Sequence, residues 1–478
     1  MKIEQIYTGC LAQGAYYIES NGEVAIIDPL REIQTYIDQA TKDQATIKYI
    51  FETHFHADFV SGHVDLANKT GATIVYGPTA EPNFNAHIAK DNEVFYLGNV
   101  TITALHTPGH TMESTTYLLK DENGKQYAIF SGDTLFIGDV GRPDLAQKLN
   151  SELTQDKLAG LLYDSLHTKI MPLDNDVIVY PAHGAGSACG KNMSKETSDT
   201  LGHQKEVNYA LNPSMTKEEF IKELTSGLLP PPFYFPENVM MNKMGVESLD
   251  VVKERAAHAF SPDELIQVAE ETNAIILDVR DPQVYAQGFV PGSINIGING
   301  GFAPWVGTLI TDIKQPILLI AETGTEEETI TRLARVGYDN VIGYLNNGFQ
   351  SWIDSEKDFE EIVSISPEEF VELVDETELK ILDVRKPGEY SASHVENAIS
   401  APLDFINESM KLIDPEETYL VHCAGGYRSM IFMSILRARG YENLIDVAGG
   451  FGKIKTVDGV KIVEGQTPCE LKNKSCSN

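Results

Sequence analysis

An α/β chain, made of one mixed domain followed by a duplicated parallel-sheet domain, is predicted by three features of the sequence. Short apolar strands in the first half run into polar loops. A block in the second half recurs with an offset of 105 residues, from Asp278 to Asp383. Strand, helix and strand follow one another through both copies. At 478 residues the chain exceeds one ordinary core, and its length suggests about three domains. Forty-two per cent hydrophobic residues marks a globular composition. The formal charge of -33, from 37 basic and 70 acidic residues, leaves no basic surplus for a phosphate backbone or an anionic bilayer. Neither a nucleic-acid nor a membrane partner is therefore expected. No apolar run approaches a membrane span, and Met1-Lys2-Ile3-Glu4-Gln5 leads directly into alternating strand-like sequence. Five scattered cysteines, an odd number, form no disulfide framework and imply a reducing, cytoplasmic setting.

In chain order, the first strands are Val24-Ala25-Ile26-Ile27-Asp28, Tyr49-Ile50-Phe51-Glu52 and Thr101-Ile102-Thr103-Ala104-Leu105. Tyr127-Ala128-Ile129-Phe130 and Val177-Ile178-Val179-Tyr180 follow, with helical stretches such as Ile33 to Ala40 and Phe220 to Leu224 between. Leu229-Pro230-Pro231-Pro232-Phe233-Tyr234-Phe235-Pro236 is expected to be neither helix nor central strand, because its prolines remove donors and fix φ. It closes a first domain predicted over 1–245.

In the second half, Phe260-Ser261-Pro262-Asp263-Glu264 recurs as Ile365-Ser366-Pro367-Glu368-Glu369. Each has a serine N-cap, a proline at the first helical position and an acid three residues on, the pattern of a capping box. Ile276-Leu277-Asp278-Val279-Arg280 recurs as Ile381-Leu382-Asp383-Val384-Arg385, closing a short strand in each copy. The period is too long for a solenoid and marks a duplicated domain, predicted over 259–356 and 360–470.

Chemistry concentrates at strand ends. His54, His56 and Asp58 alternate immediately after an apolar strand. Three further strand ends bring His110 (in Pro108-Gly109-His110), Asp133 (in Gly132-Asp133) and His183 (in Ala182-His183-Gly184). Any one of these alone reads as a solvated loop residue. Six in this order at strand termini read as a metal site.

The succession His-x-His-x-Asp, Pro-Gly-His, Gly-Asp and a late His resembles the metallo-β-lactamase fold, an αββα sandwich, over roughly residues 1 to 245. In that superfamily a histidine directly after the aspartate serves a second metal; here the position is Phe59, which implies a single metal. Two histidines and a carboxylate with open positions is a facial set suited to non-haem Fe(II). The wider match is to the persulfide dioxygenases of this fold, carried also by Asp139-Val140-Gly141-Arg142-Pro143-Asp144-Leu145, by Gly186-Ser187-Ala188-Cys189-Gly190-Lys191 and by the proline-rich stretch. This resemblance implies one Fe(II) per chain on His54, His110 and Asp133. His56, Asp58 and His183 would then hydrogen-bond those ligands or a bound water. It implies oxidation by O2 of a thiol persulfide (of glutathione, coenzyme A, bacillithiol or cysteine) to sulfite and free thiol. Arg142 is a candidate for holding the anionic substrate, with an ion pair to Asp144 or Asp139 as the structural alternative. Cys189 reads first as an inert buried thiol and is also carried as a candidate substrate contact.

The second centre is Cys423-Ala424-Gly425-Gly426-Tyr427-Arg428, a loop between the strand Tyr419-Leu420-Val421-His422 and an apolar helix. Such a loop points backbone N–H groups inward; these and Arg428 are expected to hold a persulfide anion on Cys423. The loop resembles that of the rhodanese family. Four residues between Cys and Arg favour sulfur transfer over a phosphatase, which needs five. In the first copy Ala321 stands where Cys423 falls and Glu326 where Arg428 falls, so that copy is expected to be inactive. The whole chain therefore resembles a persulfide dioxygenase–rhodanese fusion: a metallo-β-lactamase sandwich and two tandem rhodanese-like α/β domains. This implies sulfite passing to Cys423 persulfide to give thiosulfate, and a homo-oligomer, dimer or tetramer. The rival reading is a zinc-dependent thioester hydrolase of the glyoxalase II type fused to a sulfurtransferase, with Phe59 as the discriminating residue.

Overall fold

The computed structural model describes residues 1–144, 153–191, 193–228, 230–376 and 379–465. Leu145, Leu229, Cys469, Cys476 and the last residues of the expected third domain lie outside them. The chain divides into two compact units. The first comprises Met1–Lys253 with Thr311–Ile313 and Thr331–Asp339, and the second holds the remainder. Both copies of the duplicated block fall largely in the second unit.

The first unit contains two six-stranded sheets. One runs in chain order from Lys2–Thr8 and Gln13–Ser20 through Glu23–Ile27, Thr46–Phe51 and Thr73–Tyr76 to His87–Ile88. Its first two pairings are antiparallel and the rest parallel. The other is ordered Asp199–Thr200, Ile178–Pro181, Gln126–Gly132, Thr115–Lys120, Val100–His106, Val94–Leu97, with Gln126–Gly132 and Ile178–Pro181 paired in parallel. Alternation within the strands explains the layering. Tyr16, Ile18, Ala25 and Ile27 of the first sheet pack on Ile102, Ala104, Tyr117 and Phe130 of the second. The intervening residues Tyr17, Val24 and Ile26 face outward onto Ile33, Tyr36, Ala40 and Leu66, which belong to or flank the helices Gln34–Lys42 and His63–Thr70. On the opposite outer face, Leu105, Leu118 and Ile129 meet the helices Gln155–Ser165 and Lys217–Thr225 through Ala159, Leu162, Phe220 and Leu224. Helix, sheet, sheet, helix is the αββα order expected.

One expectation fails at the proline-rich segment. Phe235 and Pro236 open the helix Phe235–Met244 and are not excluded from it. Proline is tolerated there because a first-turn N–H has no intrahelical acceptor.

The second unit carries two five-stranded, wholly parallel sheets of identical order. One is Ala259–Phe260, Val341–Leu345, Ile317–Ile320, Ile275–Asp278, Ile294–Asn295. The other is Val363–Ile365, Leu444–Val447, Tyr419–His422, Lys380–Asp383, Ile399–Ser400. Both expected capping boxes form: Ser261 with Glu264, and Ser366 with Glu369. The two Asp-Val-Arg repeats close in the same way. Arg280 binds Asp278 and lies over Phe349, and Arg385 binds Asp383 and lies over Phe451.

Candidate functional site

In the first unit the chain leaves the strand Thr46–Phe51 and enters a wholly buried loop, Glu52 to Ser61. Gly132, at φ +54°, ends the neighbouring Gln126–Gly132 strand; a Cβ there would stand 2.7 Å from the Thr53 side chain, so glycine lets the two strand ends meet. The ligand-type atoms of His54, His110 and Asp133 consequently lie within 4.8 Å of one another, all buried. His110 Nε2 is 3.4 Å from Asp133 Oδ2, and its Nδ1 lies 2.8 Å from the Arg142 carbonyl. His54 Nδ1 lies 3.0 Å from Thr53 Oγ1. A second group overlaps the first: His56, Asp58 and His183 are mutually within 4.8 Å, and His183 Nε2 is 3.5 Å from both Asp58 Oδ2 and Asp133 Oδ1.

The donor set suits a cation. Both oxygens of Asp133, Oδ1 of Asp58 and both ring nitrogens of His183 are buried without a hydrogen-bond partner. Leaving such groups unpaired costs about 1–3 kcal/mol each, which a metal would offset. Burial, then the neighbouring His56, His110 and His183, holds the His54 pKa well below the usual imidazole value, keeping the neutral form a ligand requires. Burial raises the Asp58 carboxyl. Phe59 is fully buried, its ring centroid 4.3 Å from that of His56, so an apolar ring occupies the place of the histidine expected in a two-metal site.

Several contributors were not evident in the sequence. Asp28 and Glu52, both buried, face His56 Nε2 at 3.0 and 3.4 Å. Burial alone would lower the pKa of His56, but these carboxylates outweigh it and raise it well above the usual value. Asn242, in the helix Phe235–Met244, donates to the carbonyls of His56 and Phe59 and accepts from Ser61 N–H, each at 2.8 Å. Burial first, then Asp58 and Cys189, raises the Tyr234 phenol well above its usual pKa, placing the proline-rich segment beside the cluster.

Arg142 and Cys189 are both carried as candidate substrate contacts. Arg142 is bidentate with Asp144, Nε to Oδ1 at 2.6 Å and Nη2 to Oδ2 at 2.7 Å, and its Nη1 donates to the Ala188 carbonyl. The ion-pair alternative is the one adopted. Cys189 is buried and groups with Asp133 and His183 within 4.8 Å, beside the cluster that its place six residues after His183 suggests. Its thiol pKa is raised by burial and by Asp58 and Asp133.

In the second unit, Cys423 ends the strand Tyr419–His422 and is 1% exposed. Gly426 N–H donates to its Sγ at 3.1 Å, with Gly426 at φ +96°. Gly450, at φ +56°, would place a Cβ 2.5 Å from the Cys423 carbonyl. Its glycine lets Phe451 N–H and Gly452 N–H bind the carbonyls of Cys423 and Ala424 at 2.7 and 2.9 Å. Ala424 and Gly425 are exposed. The Arg428 guanidinium is bidentate with Glu389, at 2.6 and 2.9 Å. Tyr427 O–H donates to the Gly297 carbonyl at 2.6 Å.

The first copy keeps the cradle and loses the chemistry. A Cβ on Gly348 would again stand 2.5 Å from the carbonyl of Ala321. Gly324, at φ +91°, matches Gly426, but its N–H donates to Glu326 Oε2 at 2.8 Å. The acid therefore takes the donor that sulfur takes in the second copy.

Residues 8–183 match the metallo-beta-lactamase superfamily, and residues 261–355 and 366–456 each match the rhodanese-like domain. A mitochondrial persulfide dioxygenase of Homo sapiens is 29% identical over 225 residues, 45% of this chain and 78% of that protein. A cytoplasmic hydroxyacylglutathione hydrolase of Arabidopsis thaliana is 34% identical over 147 residues, 30% of this chain and only 56% of that protein. A metallo-beta-lactamase crystal structure from Staphylococcus aureus is 32% identical, superposes with a TM-score of 0.65, and covers 72% of this chain and 99% of its own. No helix among the described residues is long and apolar enough to cross a membrane. With the αββα sandwich, the clustered His and Asp side chains and both repeats in place, the chain belongs to the metallo-beta-lactamase superfamily and carries two rhodanese-like domains behind that fold.

Proposed function

We propose that this chain oxidises low-molecular-weight thiol persulfides with O2 at one Fe(II) held by His54, His110 and Asp133, and exchanges sulfane sulfur through Cys423. The observation that carries this reading is the facial His54–His110–Asp133 group, with Phe59 buried where a second metal's histidine would stand. Similarity to a human persulfide dioxygenase supports it. When bound there, Fe(II) would supply the redox chemistry: persulfide, O2 and one water give thiol, sulfite and two protons.

The chain's own residues set the conditions. The Arg142 carbonyl and Thr53 Oγ1 fix the rings of His110 and His54 at Nδ1, which leaves Nε2 for the metal. The Asn242 amide pins the loop that carries His56 and Phe59. At the second centre, the Cys423 thiolate attacks the outer sulfur of a persulfide, whose S–S bond breaks as the free thiol leaves. Sulfite then takes that sulfur from Cys423 persulfide, giving thiosulfate and the thiolate. Gly426 N–H faces Sγ and would stabilise the thiolate form.

Oxygen uptake by iron-loaded protein against glutathione, coenzyme A, bacillithiol and cysteine persulfides tests the first half. Absence of uptake with all four, at full iron loading, refutes it. Cys423→Ser should preserve uptake and change the product from thiosulfate to sulfite; unchanged thiosulfate refutes the coupling. The second reading, zinc-dependent thioester hydrolysis, is favoured by Asp58 and His183 remaining beside Asp133 and by similarity to hydroxyacylglutathione hydrolases. Two zinc ions per chain and thioester turnover would establish it over oxidation.

A further inference from the structure

Phe451 and Gly452 N–H hold the carbonyls of Cys423 and Ala424 at the start of the sulfur-bearing loop, and its middle is open. A Cβ on Gly425 would meet nothing within 4 Å, Ala424 and Gly425 are exposed, and Gly426 sits at a φ that only glycine adopts freely. Yet the one donor seen on the sulfur, Gly426 N–H, acts over a range of a few tenths of an ångström. Gly426 is also the residue from which the helix Tyr427–Ala438 starts, so the helix helps to set its position.

That helix is anchored by the first rhodanese-like copy at successive points. Tyr427 O–H donates to the Gly297 carbonyl at 2.6 Å. Its ring is seated where Gly300 has no side chain: a Cβ there would stand 2.5 and 2.7 Å from two ring carbons. Further along, the buried Asn295 N–H donates to Ser434 Oγ at 2.9 Å. Beneath the loop, Asp446 accepts from Ser429 Oγ at 3.0 Å with one oxygen and from Gln283 Nε2 at 2.9 Å with the other. Gly297, Gly300, Asn295 and Gln283 all belong to the copy that has no thiol. In that copy the residue equivalent to Tyr427 is Thr325, too short for such a reach.

We propose that the first rhodanese-like copy is the positioning half of the sulfur-transfer site: Gly297 and Gly300 hold Tyr427, and Tyr427 sets the Gly426 amide against Cys423 Sγ. Tyr427 is a positioning residue, acting through its neighbour's N–H. The inference rests on Cys423 being the sulfur-carrying thiol of the proposed function, and it gives the inactive copy a task without any chemistry of its own.

The test is the pH dependence of Cys423 alkylation by iodoacetamide in the full chain, followed by mass spectrometry of the Cys423 peptide, for wild type, Tyr427→Phe and Gly300→Val. The Gly426 amide touches the reacting sulfur, so loss of the anchor should alter the alkylation profile and slow reaction about three- to tenfold in Tyr427→Phe, the worth of one hydrogen bond. Gly300→Val, which evicts the ring, should do at least as much. Tyr427→Phe removes one oxygen and keeps the ring, so it stays informative if Gly300→Val misfolds; far-UV dichroism reports folding. A folded Tyr427→Phe protein with a wild-type alkylation profile overturns the proposal. A shifted profile supports it even if wild-type Cys423 moves no sulfur from thiosulfate to cyanide, an outcome that would instead refute the sulfur-carrier reading.

Discussion

Replacing Phe59 by histidine converts the feature that separates one metal from two into an experiment. The side chain is fully buried and 4.3 Å from the His56 ring, and its carbonyl is held by Asn242 at 2.8 Å, so a new imidazole would stand beside His56 in a fixed backbone. In the metal-free protein the change is unfavourable. Losing the buried phenyl costs about 1.5–3 kcal/mol, and burying an unpartnered imidazole adds about 1–3 kcal/mol. A total near 4 kcal/mol corresponds to a fall of roughly 10 °C in the melting of a domain this size, at about 2–4 °C per kcal/mol. Metal bound by the new ligand should recover much of that loss. The assay pairs metal content per chain with thermal melts in chelator and in added iron or zinc. Wild type should hold one metal and Phe59→His should approach two, with a melting temperature that rises on metal addition. A wild type already holding two, or a variant that stays at one and melts unchanged with metal, refutes the reasoning.

Asn242→Ala removes three hydrogen bonds to the metal-bearing loop. Metal affinity should fall about 10- to 100-fold and the first unit should lose about 2–4 kcal/mol, read by metal titration and chemical denaturation. Glu389→Gln unmasks the Arg428 charge, so the KM for thiosulfate in transfer to cyanide should fall about three- to tenfold; a raised KM would show that Glu389 instead orients the guanidinium. The Glu389 pKa is lowered, first by its hydrogen bond to Arg428. The pair's contribution is therefore present above the unfolded carboxylate pKa and is lost as pH falls through the lower folded value. In wild type the KM should drop on acidification through that window, and in Glu389→Gln that drop should vanish.

What could be read from sequence was whatever the backbone itself repeats. Strand ends announce themselves by an apolar run meeting a polar residue, which is why His54, His110, Asp133 and His183 were visible and why the structure brings them together. The duplicated Ser-Pro and Asp-Val-Arg blocks were equally plain, because capping and strand closure are local. Asp28, Glu52 and Asn242 left no such trace: their partners are set by packing, with Asn242 meeting His56 across 186 residues of chain. The Arg428–Glu389 pair, 39 residues apart, is hidden from the sequence for the same reason. At Phe235-Pro236, proline sits in the first helical turn, where no donor is lost, so its usual helix-breaking signal is misleading.

The carboxylate of Glu326 folded back onto Gly324 N–H has a consequence for how the two copies can diverge or converge again. Installing a cysteine at position 321 by itself would set a thiol against a resident negative charge that already occupies its only solvating donor. A thiol placed there would find the Gly324 N–H taken until the acid is removed as well. The silent copy is locked as a built-in pseudo-ligand complex, free to specialise in shape while its twin keeps the reactive atom.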